Sequence, residues 1–244
     1  MLAKFIDRPR EDSLTASVVG HLFHFPMEIA WNLLSAATTS PGFPSFPGEP
    51  REIHEWPNWD ATNTWRDQRI IPDVVIKFEA FDLIIEAKRW DRPMQDPEQW
   101  EAEVQAYINE FGDRKRDVHM LALGGLIADH KEPIAKEWNP PGESPGESPG
   151  ESHQFLCPVH PCSWQNLLNE CRRMQKELKG LNFPTAQTRA QLRIVNDLIE
   201  LFGHHGFQTG VWWADAALRI LELKPSIKMA HHTALRTFFC RSFT

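Results

Sequence analysis

The chain of 244 residues predicts an α/β protein with a central mixed β-sheet flanked by helices, plus C-terminal helices. Three observations carry that expectation. Apolar residues recur at helical spacing near Leu14, again near Trp100 and again near Trp164. Two runs dense in β-branched residues, 70–78 and 83–88, lie side by side between the first two of those helices. A third apolar run, 118–123, stops at Gly124-Gly125. Helices and strands that alternate in this way fit neither a bundle nor a β-sandwich.

Each element has a local reason. Leu14, Val18, Leu22 and Phe25 share a helix face, and Asp12 or Ser13 suits its cap. Pro26 interrupts, and a second helix runs through Ile29, Ala30, Leu33 and Leu34. Residues 38–50 are rich in Pro, Gly, Ser and Thr and read as a loop. Residues 51–69 hold Trp56, Trp59 and Trp65 among polar residues, with a short strand near 51–56. The connection Glu79-Ala80-Phe81-Asp82 is short enough for a hairpin, although it has no Asn-Gly or Asp-Gly pair. Pro97 opens a helix whose apolar face is Trp100, Val104, Ile108 and Phe111.

Pro-Gly-Glu-Ser then recurs three times over 141–152. Such a turn-rich acidic tract cannot bury a core and is expected to be mobile. A strand near 153–159 follows. Trp164, Leu167, Leu168, Cys171, Met174 and Leu178 mark one amphipathic helix. Leu192, Val195, Leu198, Ile199 and Phe202 mark another, ended by Gly203. Residues 214–223 have helical character. The expected organisation is a core over 1–139, a linker over 140–152, and a region 153–244 that completes the sheet and adds helices.

Composition narrows the function classes. Lys plus Arg is 26 and Asp plus Glu is 33, a formal net charge of -7, which argues against coating nucleic acid by bulk positive charge. No run approaches eighteen apolar residues, so no membrane span is expected. The start lacks the apolar core of a signal peptide. Four cysteines do not suggest a disulfide scaffold and fit reduced thiols in a cytoplasm.

The chemistry gathers around the second β run. Leu83-Ile84-Ile85 reads as a buried strand, yet Glu86 and Lys88 follow it. Burying a carboxylate and an ammonium is costly unless they are paired or meet a metal. Two apart on a strand, they share a face, with Ala87 opposite. A turn centred between Ala80 and Phe81 puts Asp73 opposite Lys88, with Glu86 its diagonal neighbour roughly 7–8 Å away. Two carboxylates with room for water suit Mg²⁺. A lysine beside them can orient a hydroxide or stabilise phosphoryl charge, which is the equipment for metal-assisted phosphodiester hydrolysis. The plain alternative is an exposed strand end with a solvated Glu–Lys pair.

Pro72-Asp73, twelve intervening residues, then Glu86-Ala87-Lys88 resembles the signature of the PD-(D/E)XK nuclease superfamily. The order α-β-β-β-α-β over residues 11–139 is similar to its restriction-endonuclease-like core. The resemblance implies that Asp73 and Glu86 are metal ligands, with the Ala87 carbonyl a third. It implies that Lys88 positions or activates the attacking water and that Glu11 contacts a metal or its water shell. Gln105, beside Tyr107 on the following helix, would contact the phosphate or orient the site. The implied cofactor is Mg²⁺, with Mn²⁺ as substitute. The implied substrate is DNA, in an endonuclease of a prokaryotic defence or DNA-processing system with a protein partner or a second copy. The rival is a catalytically silent core retained as a binding or scaffold subunit.

Other groups have simpler roles open to them. His153, Cys157, His160 and Cys162 offer zinc-ligand types, but Pro158 and Pro161 break the run and the spacing matches no common module. His204-His205 and His231-His232 are weak candidates. Arg66, Arg69, Lys77, Arg89 and Arg92 surround the proposed site in sequence, and Arg172, Arg173, Lys176 and Lys179 share a helix. Residues 216–244 carry five basic residues against Glu222. Each basic group is either a solvated face or a phosphate contact. Trp90 and Trp212-Trp213 read as packing or interface residues.

Overall fold

The computed structural model describes residues 11–38, 40–65, 69–112, 116–125, 133–138 and 153–208. In chain order these form α1 (Glu11–Leu22), α2 (Met27–Ala37), β1 (Glu52–Glu55), β2 (Val74–Lys77) and β3 (Phe81–Ala87). Then come α3 (Pro97–Phe111), β4 (Asp117–Leu123), β5 (Ile134–Trp138), β6 (His153–Cys157), β7 (Val159–Cys162), α4 (Trp164–Lys179) and α5 (Ala186–His204). The chain divides into two units, Met1–Phe207 and Gln208–Thr244. The linker over 140–152, Trp212-Trp213, the helix expected over 214–223, the basic tail and His231-His232 lie outside the described residues.

The protein is α/β, with a five-stranded mixed sheet in the order β1-β2-β3-β4-β7. β1, β2 and β3 pair antiparallel, and β3, β4 and β7 pair parallel. β5 and β6 form a separate antiparallel pair. Because strand residues alternate between faces, the sheet sorts its side chains into two cores. Leu83, Ile85, Leu121, Leu123 and Cys162 join residues of α1, α2, α4 and α5 on one side. Val75, Ile84, Met120, Ala122 and Val159 join α3 and the β5–β6 pair on the other. Both faces of β3 are covered, and all seven of its residues are buried. Among the described residues, no helix is long and apolar enough to cross a membrane.

The hairpin register differs from the expected one. Val74 pairs with Ile85 and Lys77 with Asp82, so the turn centres on Glu79-Ala80 and Asp73 falls opposite Glu86 rather than Lys88. The Phe78 N–H donates to the Phe81 carbonyl across this turn, 3.0 Å. Burial of Phe81 explains the longer strand: its ring lies 5.4 Å from Phe78 and 5.8 Å from Trp31 of α2. Asp82 reads as a turn residue but is buried, accepting from the Tyr107 hydroxyl at 2.8 Å and from Arg116 Nε at 3.1 Å. A shift of two residues keeps every side chain on its face, so Asp73, Glu86 and Lys88 still face α3.

Three further differences concern strands. The strand expected over 153–159 is two, divided at Pro158, and the second is the sheet edge beside β4. Pro161 lies in this edge strand, the kind of strand in which proline is tolerated within a sheet. β5 was not expected at all.

Candidate active site

The site lies where β3 leaves the sheet, at the carboxyl end it shares with parallel β4. In open α/β sheets this end is where ligands bind. Four backbone bonds tie the loop after β3 to the end of β4: Lys88 N–H to Leu123 O at 2.8 Å, Gly125 N–H to Trp90 O at 2.6 Å, and the Met94 and Gln95 N–H groups to Gly125 O at 3.1 and 2.8 Å. The buried Gln95 amide braces the same junction, donating to the Glu86 carbonyl at 3.1 Å and the Gly124 carbonyl at 3.2 Å. Its oxygen accepts from Trp100 Nε1 at 2.9 Å. Trp164 Nε1 donates to the Lys88 carbonyl at 2.6 Å. Asp91 caps α4, accepting from the Trp164 and Gln165 N–H groups at 2.9 and 2.8 Å. The backbone around Lys88 is therefore held from three directions.

Within this frame the structure gathers Glu11, Asp73, Glu86 and Lys88. Lys88 Nζ donates to Glu86 Oε1 at 2.5 Å and lies 4.0 Å from Glu11 Oε1. Glu11 opens α1, and its Oε2 accepts the Arg89 N–H at 2.9 Å. Asp73 Oδ2 accepts the Ala87 N–H at 2.8 Å, so Ala87 enters through its amide. Gln99 and Glu103 of α3 complete the cluster. Gln99 Nε2 donates to Glu86 Oε1 at 2.7 Å and to Glu103 Oε1 at 2.9 Å, and Gln99 Oε1 accepts from Lys88 Nζ at 3.0 Å.

Burial and mutual repulsion shift the protonation of these groups. Burial, reinforced by the Glu86 charge, lifts Asp73 from the usual 3.8 to about 7, against the pull of the Ala87 N–H and Lys88. Burial also raises Glu86, which is 3 % exposed, despite the Lys88 ammonium beside it. Glu103 is raised well above the ordinary carboxylate range by burial and by Glu86. Burial works against the Lys88 ammonium, but Glu86, Glu11 and Glu103 together outweigh it and raise its pKa. Glu103 Oε2 meets no N–H or O–H donor among the described residues. The cluster sets several carboxyl groups around one lysine, and burial favours the protonated forms of Asp73 and Glu103.

Gln105 is not brought to the cluster. Its Nε2 donates to Asn109 Oδ1 at 3.1 Å on the surface of α3. At 100° per residue it sits about 200° around the helix from Glu103, which explains why it faces away. The signal for the right residues was the spacing of Gln99 and Glu103, four apart and each next to an apolar position, Trp100 and Val104. Gln95 had no sequence signal beyond preceding the helix cap.

Two of the candidate zinc ligands lie in different cores. Cys157 is buried in the core on the α3 side and Cys162 in the opposite core. Both, with Cys171, are free thiols. His160 Nε2 faces His119 Nδ1 at 3.0 Å, and His160 Nδ1 faces Ser40 Oγ at 3.1 Å. Among the described residues, no three His, Cys, Asp or Glu side chains form a ready-made metal cage. Trp90 packs toward Phe207, with ring centroids 6.1 Å apart, and beneath the Arg89 guanidinium.

No protein-family model, curated protein or solved structure matches the chain. Its chemistry is argued from its own residues.

Proposed function

We propose that the protein is a metal-dependent nuclease of the PD-(D/E)XK type that hydrolyses phosphodiester bonds in DNA. The observation that carries this reading is the convergence of Glu11, Asp73, Glu86 and Lys88 at one strand end. The order α1, β1, β2, β3, α3, β4, with α2 inserted after α1, supports a restriction-endonuclease-like core.

The donor set fits Mg²⁺ or Mn²⁺. Its ligands are hard carboxylate oxygens, and Mg²⁺ is commonly held by one or two carboxylates and several waters rather than by a closed protein cage. The carboxyl groups whose pKa values burial and mutual repulsion raise are those a divalent cation would relieve. Asp73 and Glu86 would hold the ion, with Glu11 on it or on its water shell. When bound, such an ion supplies Lewis-acid stabilisation of phosphoryl charge and a more acidic water.

The remaining work falls to Lys88. Held above its ordinary pKa, it stays an ammonium and is a donor rather than a base. An ammonium carries three N–H groups. Glu86 and Gln99 take two, which leaves one for a phosphate oxygen or for the water that attacks phosphorus as the bond to the leaving oxygen breaks.

The test is incubation of the purified protein with supercoiled, linear and single-stranded DNA in Mg²⁺ or Mn²⁺, beside Glu86→Ala and Lys88→Ala. Metal-dependent cutting lost in both variants is the expected result. No cutting of any substrate by the wild-type chain overturns the reading and favours a binding or scaffold subunit.

A further inference from the structure

We propose that Gln99 is a positioning residue that holds the Lys88 ammonium against Glu86. Its catalytic meaning rests on the nuclease reading, but the positioning can be tested without it. Gln99 touches three charged side chains through one amide. Its nitrogen donates to Glu86 Oε1 and Glu103 Oε1, and its oxygen accepts from Lys88 Nζ. A neutral group with donors and an acceptor is what this place requires. A carboxylate there would repel Glu86 and Glu103, and an ammonium would have no acceptor to offer Lys88.

The amide is itself well anchored. It lies in the first turn of α3, where Pro97 opens the helix and the Asp96 side chain accepts the Glu98 N–H at 3.0 Å. Trp100 and Val104 bury the neighbouring face. Gln99 therefore comes from a fixed backbone, whereas Lys88 reaches the site on a flexible four-carbon stem. Without Gln99, Nζ keeps the bond to Glu86 but loses the contact that fixes its direction. Glu103 Oε1 would lose its donor, beside an Oε2 that already lacks one.

A matched control separates positioning from folding. The Lys88 and Lys77 side chains are 14 % and 13 % exposed, and Lys77 sits apart, paired with Glu52. The rates at which an amine-acylating reagent labels each lysine are read by peptide mass spectrometry. Gln99→Leu is expected to raise the Lys88 to Lys77 rate ratio by about fivefold, the scale of one lost hydrogen bond. Gln99→Glu keeps an acceptor for Nζ, now a charged one, so despite its repulsion of Glu86 and Glu103 it is expected not to raise the ratio. On supercoiled plasmid with Mg²⁺, Gln99→Leu is expected to lower kcat by about 10- to 100-fold, with KM changed by less than about threefold.

An unchanged ratio in Gln99→Leu overturns the proposal, as does an equal rise at both lysines, which would report loosening of the whole fold. If the ratio responds while the wild-type chain cuts no DNA, the nuclease reading fails and the positioning of Lys88 stands.

Discussion

Replacing Asp73 by asparagine should stabilise the metal-free protein at pH 8 while abolishing cutting. Burial and the Glu86 charge raise the Asp73 pKa from 3.8 to about 7. The folded chain thus keeps a proton that the unfolded chain releases near pH 4. Stability from this group is full at low pH and is lost as pH rises through about 7. Each tenfold change in proton affinity is worth ~1.4 kcal/mol, so the ionised carboxylate costs the fold roughly 4 kcal/mol at pH 8. Asparagine removes that cost and can still accept the Ala87 N–H, although a neutral acceptor gives up about 1 kcal/mol. A net gain of about 2–3 kcal/mol remains, large for a single substitution, since most destabilise.

The assay is urea unfolding of wild type and Asp73→Asn with a chelator present, at pH 8 and at pH 4. The variant should be the more stable at pH 8, and the difference should shrink below about 1 kcal/mol at pH 4. A variant that is less stable at pH 8, or a gain that does not change with pH, would refute the reasoning. The first result would mean that Asp73 is held chiefly by its hydrogen bond. The second would mean that its gain is unrelated to charge.

Mg²⁺ should reverse the same penalty: at 100 times its dissociation constant it stabilises wild type by about 2.7 kcal/mol, and Asp73→Asn should respond less in calorimetric melts. Gly124→Ala should cost about 3 kcal/mol or more, because a Cβ would lie 2.3 Å from the Lys88 carbonyl and 2.4 Å from Trp164 Nε1 at a backbone φ of +68°. An urea midpoint equal to wild type would show that this loop does not brace the site. Burial lowers His119, and burial with the neighbouring His119 lowers His160 to about 4. The unfolded chain takes up these protons near pH 6.5, so stability falls as pH drops from there toward 4. His160→Gln should lessen that acid loss by roughly 2 kcal/mol, and identical acid limbs would count against it.

The sequence made the site legible where period alone decides. Glu86 and Lys88 share a face whatever the turn, and a register shift of two left Asp73 on that face opposite Glu86. Glu11 was legible only through the resemblance, which implies an acidic residue on an early helix; nothing in its spacing ties α1 to the end of β3. Gln105 misled because the resemblance implies a Gln near Tyr107 without fixing its place around the helix. α3 carries Gln99, Glu103 and Tyr107 on one stripe, and Gln105 is not on it. The extent of β3 was hidden because Phe81 and Asp82 look like turn residues until Trp31, Tyr107 and Arg116 meet them. The β7 edge was hidden because Pro158 and Pro161 read as breakers until β4 pairs along one side of the strand.

The same helix serves two buried acids, and their difference locates the chemistry. From Gln99 to Tyr107 is eight residues, about 12 Å of helix rise. From Glu86 to Asp82 is four residues, about 13 Å of strand. The match lets α3, packed against β3, reach Glu86 at one end and Asp82 at the other. Asp82 finds a hydroxyl and a guanidinium and is satisfied structurally. Glu86 finds one ammonium and one amide, with Glu11, Asp73 and Glu103 close enough to perturb it or one another. A strand with no task at that end would be more stable with the arrangement at Asp82 repeated. The carboxyl groups are held in place by Gln95, Gln99 and the Trp164 bond to Lys88, and burial favours the protonated forms of Asp73 and Glu103. On the proposed nuclease reading, a crowd of carboxyl groups with raised pKa values is what a divalent cation would relieve.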